Sequence, residues 1–162
     1  MKENTSWGNV ADWYHSTVND EDSYQARVIL PNILRLLAPE RGKKILDLAC
    51  GQGYFSHALS ARGASLIGVD IAPELVGLAK KHASHTEEFY VGHAHDLSKF
   101  DDGRFDAVLC VLAIQNIEKV TDVFKEVSRL LKQTGKFVIV LNHPSFRIPG
   151  QSSWIFDEKL KI

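Results

Sequence analysis

Short apolar runs alternate with amphipathic stretches along most of this chain. The apolar runs have the length of buried strands and predict them over residues 45–48, 66–70, 88–91, 105–112 and 136–142. Apolar residues at helical spacing predict helices over residues 23–38, 53–62, 72–85 and 120–131. Pro31 is expected to kink the first helix or to start its second segment, and Gly135 is expected to cap the last one. Alternating strands and helices predict an α/β fold whose parallel sheet is covered on both faces.

A glycine turn follows the first predicted strand, and a carboxylate closes the second. Gly51 and Gly53 form a Gly-x-Gly turn, and Asp70 lies about 20 residues further on. Glycine lets the backbone turn tightly and approach a ligand without an intervening Cβ. A carboxylate at the end of the next strand is placed to accept both hydroxyls of a ribose. These features predict half of a nucleoside-binding site.

The spacing Asp47-x-x-x-Gly51-x-Gly53, with Asp70 at the next strand end, resembles the class I S-adenosylmethionine-dependent methyltransferases. The dinucleotide-binding fingerprint fits less well, because Ser56 replaces its third glycine and Asp47 is not part of it. The resemblance extends to residues 105–110 and 130–140 and covers roughly residues 10–145. It implies a three-layer Rossmann-like core with a mostly parallel sheet, and S-adenosylmethionine as the cofactor.

The resemblance also implies roles for individual residues. Asp47 is expected near the ammonium group of the cofactor, or else it only structures the loop. Gly51 and Gly53 are expected to flank the methionine part. Asp70 is expected to bind the ribose, with helix capping before Pro73 as the alternative. The full set of expected cofactor-binding residues is Tyr24, Asp47, Ala49, Gly51, Gly53, Asp70, Ile71, Ala94, His95, Asp96 and Val111.

The segment after the third predicted strand departs from the family pattern. The family often has Gly-Asp-Ala there, whereas this chain has Gly92, His93 and Ala94. Asp96, or backbone groups near Ala94 and His95, are expected to contact the adenine instead. The pair His93 and His95 is not expected to bind a metal, because the sequence shows no third ligand.

The sequence identifies fewer residues for the methyl acceptor than for the cofactor. Tyr14, Gln115 and Asn116 are expected to line the acceptor pocket, with helix capping as an equal alternative for the two amides. His143 follows the fifth predicted strand and is the candidate general base, with a solvated or core histidine as the alternative. The signature of base-amino methylation is absent, so the expected acceptor is a small molecule. A non-catalytic module that binds S-adenosylmethionine or S-adenosylhomocysteine is the alternative function.

The composition limits the expected binding partners and the expected cellular compartment of the protein. The 162 residues include 19 basic and 20 acidic ones, for a net charge of −1, and no basic run indicates nucleic-acid binding. No apolar stretch has the length of a membrane span, and no signal peptide begins the chain. Cys50 and Cys110 lie in apolar surroundings and are expected to be reduced core residues. We therefore expect a cytoplasmic protein without nucleic-acid or membrane partners.

The length suits one domain, expected as a helical cap over residues 1–40, a cofactor-binding core over residues 41–143 and a tail over residues 144–162. Class I methyltransferases normally continue with a helix and a strand hairpin. Only 20 residues follow Asn142, with two prolines and no clear strand pair, so the hairpin is expected to be missing or incomplete. The fifth strand would then be an apolar edge open to self-association.

Overall fold

A computed structural model of the chain describes residues 22–143. Five strands form one sheet: β1 (Lys44–Leu48), β2 (Ser65–Asp70), β3 (Glu87–Val91), β4 (Phe105–Val111) and β5 (Leu131–Val140). Four α-helices connect and cover them: α1 (Leu30–Leu37), α2 (Tyr54–Ser60), α3 (Pro73–Lys81) and α4 (Val120–Leu130). A π-helical turn (Gln25–Ile29) precedes α1, and a 3-10 turn (Ile114–Asn116) follows β4.

The strand order is β3-β2-β1-β4-β5, and each neighbouring pair is parallel. Because consecutive side chains of a strand point to opposite faces, each strand contributes to two cores. On one face Ile45 packs with Ile33 of α1 and Leu59 of α2, and on the other Leu46 packs with Val127 of α4. The predicted three-layer α/β fold is therefore confirmed.

The first helix changes form at its proline, as the sequence predicted. Pro31 lies in the first turn of α1, directly after the π-helical turn, and it has no N–H to donate to that preceding turn. Ile33 and Leu37 of this helix are buried against the sheet. This helix is thus part of the core in the described residues.

The end of the last helix differs from the sequence prediction. The helix stops at Leu130, and Leu131 is already extended, with φ −73° and ψ 139°, and begins β5. Gly135 lies within β5, so the prediction that it caps the helix was wrong. Leu131 pairs with Phe105 across a register irregularity, which explains the early start of the strand. A Cβ on Gly135 would lie 2.8 Å from Leu131 Cδ2, so a side chain at position 135 would require Leu131 to move.

The described sheet ends at β5, which is one of its two edges. Residues 22–143 contain no strand after Val140. No helix within these residues combines the length and the hydrophobicity needed to cross a membrane.

Candidate functional site

A cleft opens at the carboxyl ends of the central strands, where ligands bind in open parallel sheets. It consists of two adjoining cavities of about 520 and 140 Å³. Both cavities are lined by Ala49, Asp70, Ile71, Asn116 and Ile117. The cleft therefore joins the ends of β1, β2 and β4, as the glycine turn and Asp70 predicted.

The loop between β1 and α2 forms the floor of the cleft. Ala49, Gly51 and Gly53 all have left-handed backbone conformations, with φ of 56°, 55° and 85°. A hydrogen bond from Gly53 N to Cys50 O, at 2.9 Å, closes the turn, and Gly53 starts α2. Gly51 lines the smaller cavity, whereas Gly53 lies behind the loop against His57 and Phe89.

Asp70 ends β2 at the junction of the two cavities. One carboxylate oxygen accepts the Gly51 N–H and the other accepts the Ala72 N–H, both at 2.8 Å. The residue is only 7% exposed, and this burial raises the pKa of the carboxyl above its ordinary value. The two backbone bonds hold the carboxylate in one orientation toward the cleft.

Asp47 lies beneath the loop and not on the cleft surface. It is 2% exposed, and its Oδ2 accepts a 2.7 Å hydrogen bond from Ser56 Oγ. Burial raises the pKa of Asp47 from 3.8 to about 7, and the charge of Asp70 adds to the rise. Asp47 thereby connects β1 to the first turn of α2.

One wall of the larger cavity follows β3 and is formed by Gly92, His93, Ala94 and His95. The His93 and His95 rings lie 4.8 Å apart. Asp96 is exposed, accepts a 2.9 Å hydrogen bond from Ser98 Oγ and does not line either cavity. That bond lowers the pKa of Asp96. Ala94 and His95, and not Asp96, are therefore brought to the cleft.

The opposite wall follows β4. Val111 lines the smaller cavity, and Leu112 takes a left-handed conformation with φ 52°. Asn116 borders both cavities, whereas the Gln115 side chain donates a 2.7 Å hydrogen bond to Leu112 O. Of the two amides predicted for the acceptor pocket, only Asn116 lines the cleft.

Two other expected site residues, Tyr24 and His143, line neither of these cavities, and a third lies outside the described part of the chain. Tyr24 is 64% exposed before the π-helical turn. His143 is exposed beyond the end of β5 and lines neither cavity. Tyr14 lies outside the described residues.

Sequence reasoning missed several cleft residues. Leu75 in the first turn of α3 lines the smaller cavity, and Glu118 and Lys119 line the larger one. Glu118 and Lys119 follow the carboxyl end of β4, so their position after this strand could have placed them at the cleft. No cluster of three or more His, Cys, Asp or Glu side chains within residues 22–143 is arranged to hold a metal ion.

Known proteins are similar to this chain in sequence and in fold. Residues 46–139 match the family described as a methyltransferase domain. The ubiquinone biosynthesis O-methyltransferase of Xanthomonas oryzae pv. oryzae is 34% identical over 105 residues, which are 62% of this chain and 44% of that protein. This chain spans less than half the length of the curated relatives it matches, 44% to 48% of each.

Two solved structures have the same architecture. The PH0226 protein from Pyrococcus horikoshii OT3 is 36% identical with a TM-score of 0.69, over 81% of this chain and 62% of that one. A chain in the complex between the Haloferax volcanii Trm112 methyltransferase activator and a methyltransferase is 27% identical with a TM-score of 0.74, over 85% of this chain and 61% of that one. The family match covers more than half of the residues and includes the loop and Asp70. The chain therefore belongs to the methyltransferase domain family, whose class I members use S-adenosylmethionine as the methyl donor.

Proposed function

We propose that this chain binds S-adenosylmethionine in the cleft at the ends of β1, β2 and β4, and transfers its methyl group to a small molecule. The observation that carries the proposal is Asp70, a buried carboxylate at the junction of two cavities beside a glycine loop. Backbone N–H groups bind both oxygens of Asp70, yet burial still raises its pKa, so a further donor from a ligand would help to compensate the buried charge.

The residues fit the proposed cofactor. The Gly51 and Ala72 N–H groups donate to different Asp70 oxygens, and the Ile71 N–H adds a third backbone interaction. A carboxylate has about four acceptor directions, so Asp70 retains acceptor capacity for a ribose hydroxyl. The wall formed by Ala94 and His95 and the side chain of Ile71 offer surfaces for a flat base. Gly51 leaves the smaller cavity open beside the loop.

The proposed reaction depends more on the relative orientation of the methyl donor and the acceptor than on covalent catalysis. When bound, the cofactor supplies a methyl group that is already activated on a sulfonium. The chain's own task is to fix the orientation of two ligands and to exclude water, which together supply much of the rate enhancement in such sites. Asp70 and the loop hold one ligand, and Asn116 and Ile117 border the space beside it.

An oxygen acceptor is the class that we propose first, because the curated relatives are named O-methyltransferases. A hydroxyl acceptor loses a proton during methyl transfer, and a histidine suits that role near neutral pH. His93 and His95 belong to the wall that we propose for the base of the cofactor, whereas His143 follows the carboxyl end of β5. We propose the His143 imidazole as the candidate base.

We also propose a cytoplasmic location. Cys50 and Cys110 carry free thiols and are buried in the described fold, as the sequence predicted. Reduced core cysteines are typical of proteins in reducing compartments.

Isothermal titration with S-adenosylhomocysteine and with NAD tests the cofactor. We expect the chain to bind S-adenosylhomocysteine and not NAD. Asp70→Ala removes the proposed ribose acceptor and should weaken binding by about 10- to 150-fold, the equivalent of about 1.5–3 kcal/mol for a charged hydrogen bond. Circular dichroism controls for folding of the variant, since Asp70 also accepts the Gly51 N–H.

Two outcomes would overturn the proposal in different parts. Binding of NAD with no binding of S-adenosylhomocysteine would contradict the cofactor assignment. Binding of S-adenosylhomocysteine without methyl transfer to any hydroxylated small molecule in a panel would favour the non-catalytic binding module.

A further inference from the structure

Arg129 of α4 connects the helix to the segment that follows the cleft wall. Its Nη2 donates to Leu97 O at 3.1 Å, and its Nη1 donates to Phe100 O at 2.8 Å. Nη1 also donates to Asp102 Oδ1 at 2.6 Å. One guanidinium therefore binds two main-chain carbonyls and a carboxylate of the same loop.

Glu126, one turn earlier on α4, completes this connection. Its Oε2 accepts the Leu97 N–H at 2.9 Å and the Arg129 Nη2–H at 2.9 Å, and its Oε1 accepts from Arg129 Nε at 3.1 Å. The hydrogen bond from Arg129 holds the pKa of Glu126 below its ordinary value, so the pair is ionised at neutral pH. Both the N–H and the carbonyl of Leu97 are thus bound by one side-chain pair.

Leu97 directly follows the wall of the larger cavity, two residues after His95. At the other end of the wall, the Gly92 N–H donates to Asp70 O at 2.9 Å. Leu97 is fully buried and Phe100 is nearly so, which fixes their side chains in the core. The wall, residues 92–95, therefore lies between two fixed positions, one at Asp70 and one at the Arg129–Glu126 pair.

We propose that Arg129 and Glu126 are positioning residues for the cofactor: they touch no ligand, and they hold the wall formed by His93, Ala94 and His95 at the distance from Asp70 that the ligand requires. This inference rests on the proposed function of the cleft. Side-chain networks of this kind change binding at a neighbouring site by about 2- to 30-fold when they are disrupted.

Arg129→Met is the direct test, with the S-adenosylhomocysteine dissociation constant measured at a temperature where circular dichroism shows the variant to be folded. We expect binding to weaken by about 2- to 30-fold, and Arg129→Lys to recover part of the loss. Amide hydrogen exchange over residues 92–97 should become faster. Lys125→Met is the matched control, because Lys125 is an exposed cation of the same helix that pairs only with Asp122 in the described contacts.

A purely structural role would lower the melting temperature of Arg129→Met and leave its dissociation constant unchanged when folded, and that result would overturn the inference. If Arg129→Met does not fold, Glu126→Gln decides by the same two measurements, because it keeps the side-chain volume and removes the charge. A wild-type chain that does not bind S-adenosylhomocysteine would contradict the proposed function instead. Unchanged amide hydrogen exchange over residues 92–97 in Arg129→Met would contradict the claim that Arg129 holds this segment in place.

Discussion

Two buried carboxylates, Asp47 and Asp70, flank the glycine loop, and no cation pairs with either of them among residues 22–143. Hydrogen bonds from Ser56, Gly51 and Ala72 compensate their desolvation only in part, since burial still raises both pKa values. Asp47 also faces the thiols of Cys50 and Cys110, whose pKa values burial raises as well. The carboxyl groups beside the glycine loop therefore bind protons more tightly in the folded chain than in the unfolded chain.

Asp47 should make the stability of the fold depend on pH. With its pKa raised from 3.8 to about 7, the folded state keeps a proton that the unfolded state releases. The free energy of unfolding should therefore fall as the pH rises from about 4 to 7, by at most about 1.4 kcal/mol per pH unit for this group. Asp47→Asn imitates the protonated acid and can still accept from Ser56, so this part of the dependence should disappear.

Urea denaturation at several pH values between 4 and 8 measures the effect. The exposed Asp101→Asn is the matched control, and Asp70 contributes in the same direction to all three proteins. Identical pH profiles for the wild-type chain and Asp47→Asn would show that folding does not raise the pKa of Asp47.

At the residue scale, the positions of Ala49, Gly51 and Asp70 at one cleft could be predicted, because each follows directly from a strand end. The hydrogen bond between Ser56 and Asp47 could not, because it depends on how α2 is placed over β1. Asp96 was expected at the cleft from its position after β3, yet its side chain turns to Ser98.

At the scale of elements, β3 supports the glycine loop from behind. Phe89 of β3 packs with Cys50 and occupies the space beside Gly68 of β2. His57 of α2 stacks edge-on against Phe89, with ring centroids 5.5 Å apart, and its Nδ1 lies 3.0 Å from Glu87 Oε1. The loop is therefore fixed in place by β2, β3 and α2 together.

Gly68→Ala should destabilise the fold through this packing. The new Cβ would lie 2.4 Å from Phe89 Cδ1 and 2.8 Å from Cys50 Sγ. Overpacking of this kind costs about 1–3 kcal/mol, and we expect that loss in chemical denaturation. Phe89→Leu in the same chain should restore part of it, because the clash is with the ring.

Gly77→Ala is the matched control for that substitution. Gly77 lies in the exposed part of α3 with no atom within 4 Å of the added Cβ, so the helix should gain about 0.5–1 kcal/mol. Equal effects of the two substitutions would show that the space beside Phe89 adapts freely.

The strands and helices were largely predictable because their apolar periodicity is clear, and the start of β5 was the exception. Residues 131–134 continue the composition of a helix end, and nothing local marks them as extended. The start of β5 is set by the pairing of Leu131 with Phe105, a distant part of the chain, and the next paired residue of β5 is Lys136. Periodicity carries no information about such pairing.

At the scale of the whole molecule, β5 is the edge of the described sheet that carries four consecutive half-buried apolar residues, Phe137–Val140. Phe137 and Ile139 pack toward one core, and Val138 and Val140 toward the other. An apolar edge strand has unpaired main-chain groups that another strand can bind. The apolar run of β5 was predictable from the sequence, whereas the order of the strands depends on pairings between distant segments, which periodicity does not specify.

We expect the 162-residue chain to self-associate through β5. Light scattering over a range of protein concentrations should show a mass that rises toward that of a dimer. Leu141→Lys places a charge at the exposed end of this edge, where Leu141 is 54% exposed, and should reduce association. Val91→Lys, at the exposed end of β3 on the opposite edge of the described sheet, is the comparison for general loss of surface hydrophobicity.

A constant monomer mass at all concentrations would contradict self-association. Equal effects of Leu141→Lys and Val91→Lys would indicate that the contact is not specific to the β5 edge.

The central position of β1 has a consequence for how the chain folds. Its second neighbour, β4, is so distant in sequence that the hydrogen bond from Lys44 N to Asp106 joins residues 62 positions apart. The closure entropy of that long loop must be lost before the pairing contributes any stability, and topologies rich in such contacts fold slowly. During synthesis, β1, β2 and β3 emerge well before β4, so the growing chain exposes one side of β1 until the second half of the sheet arrives.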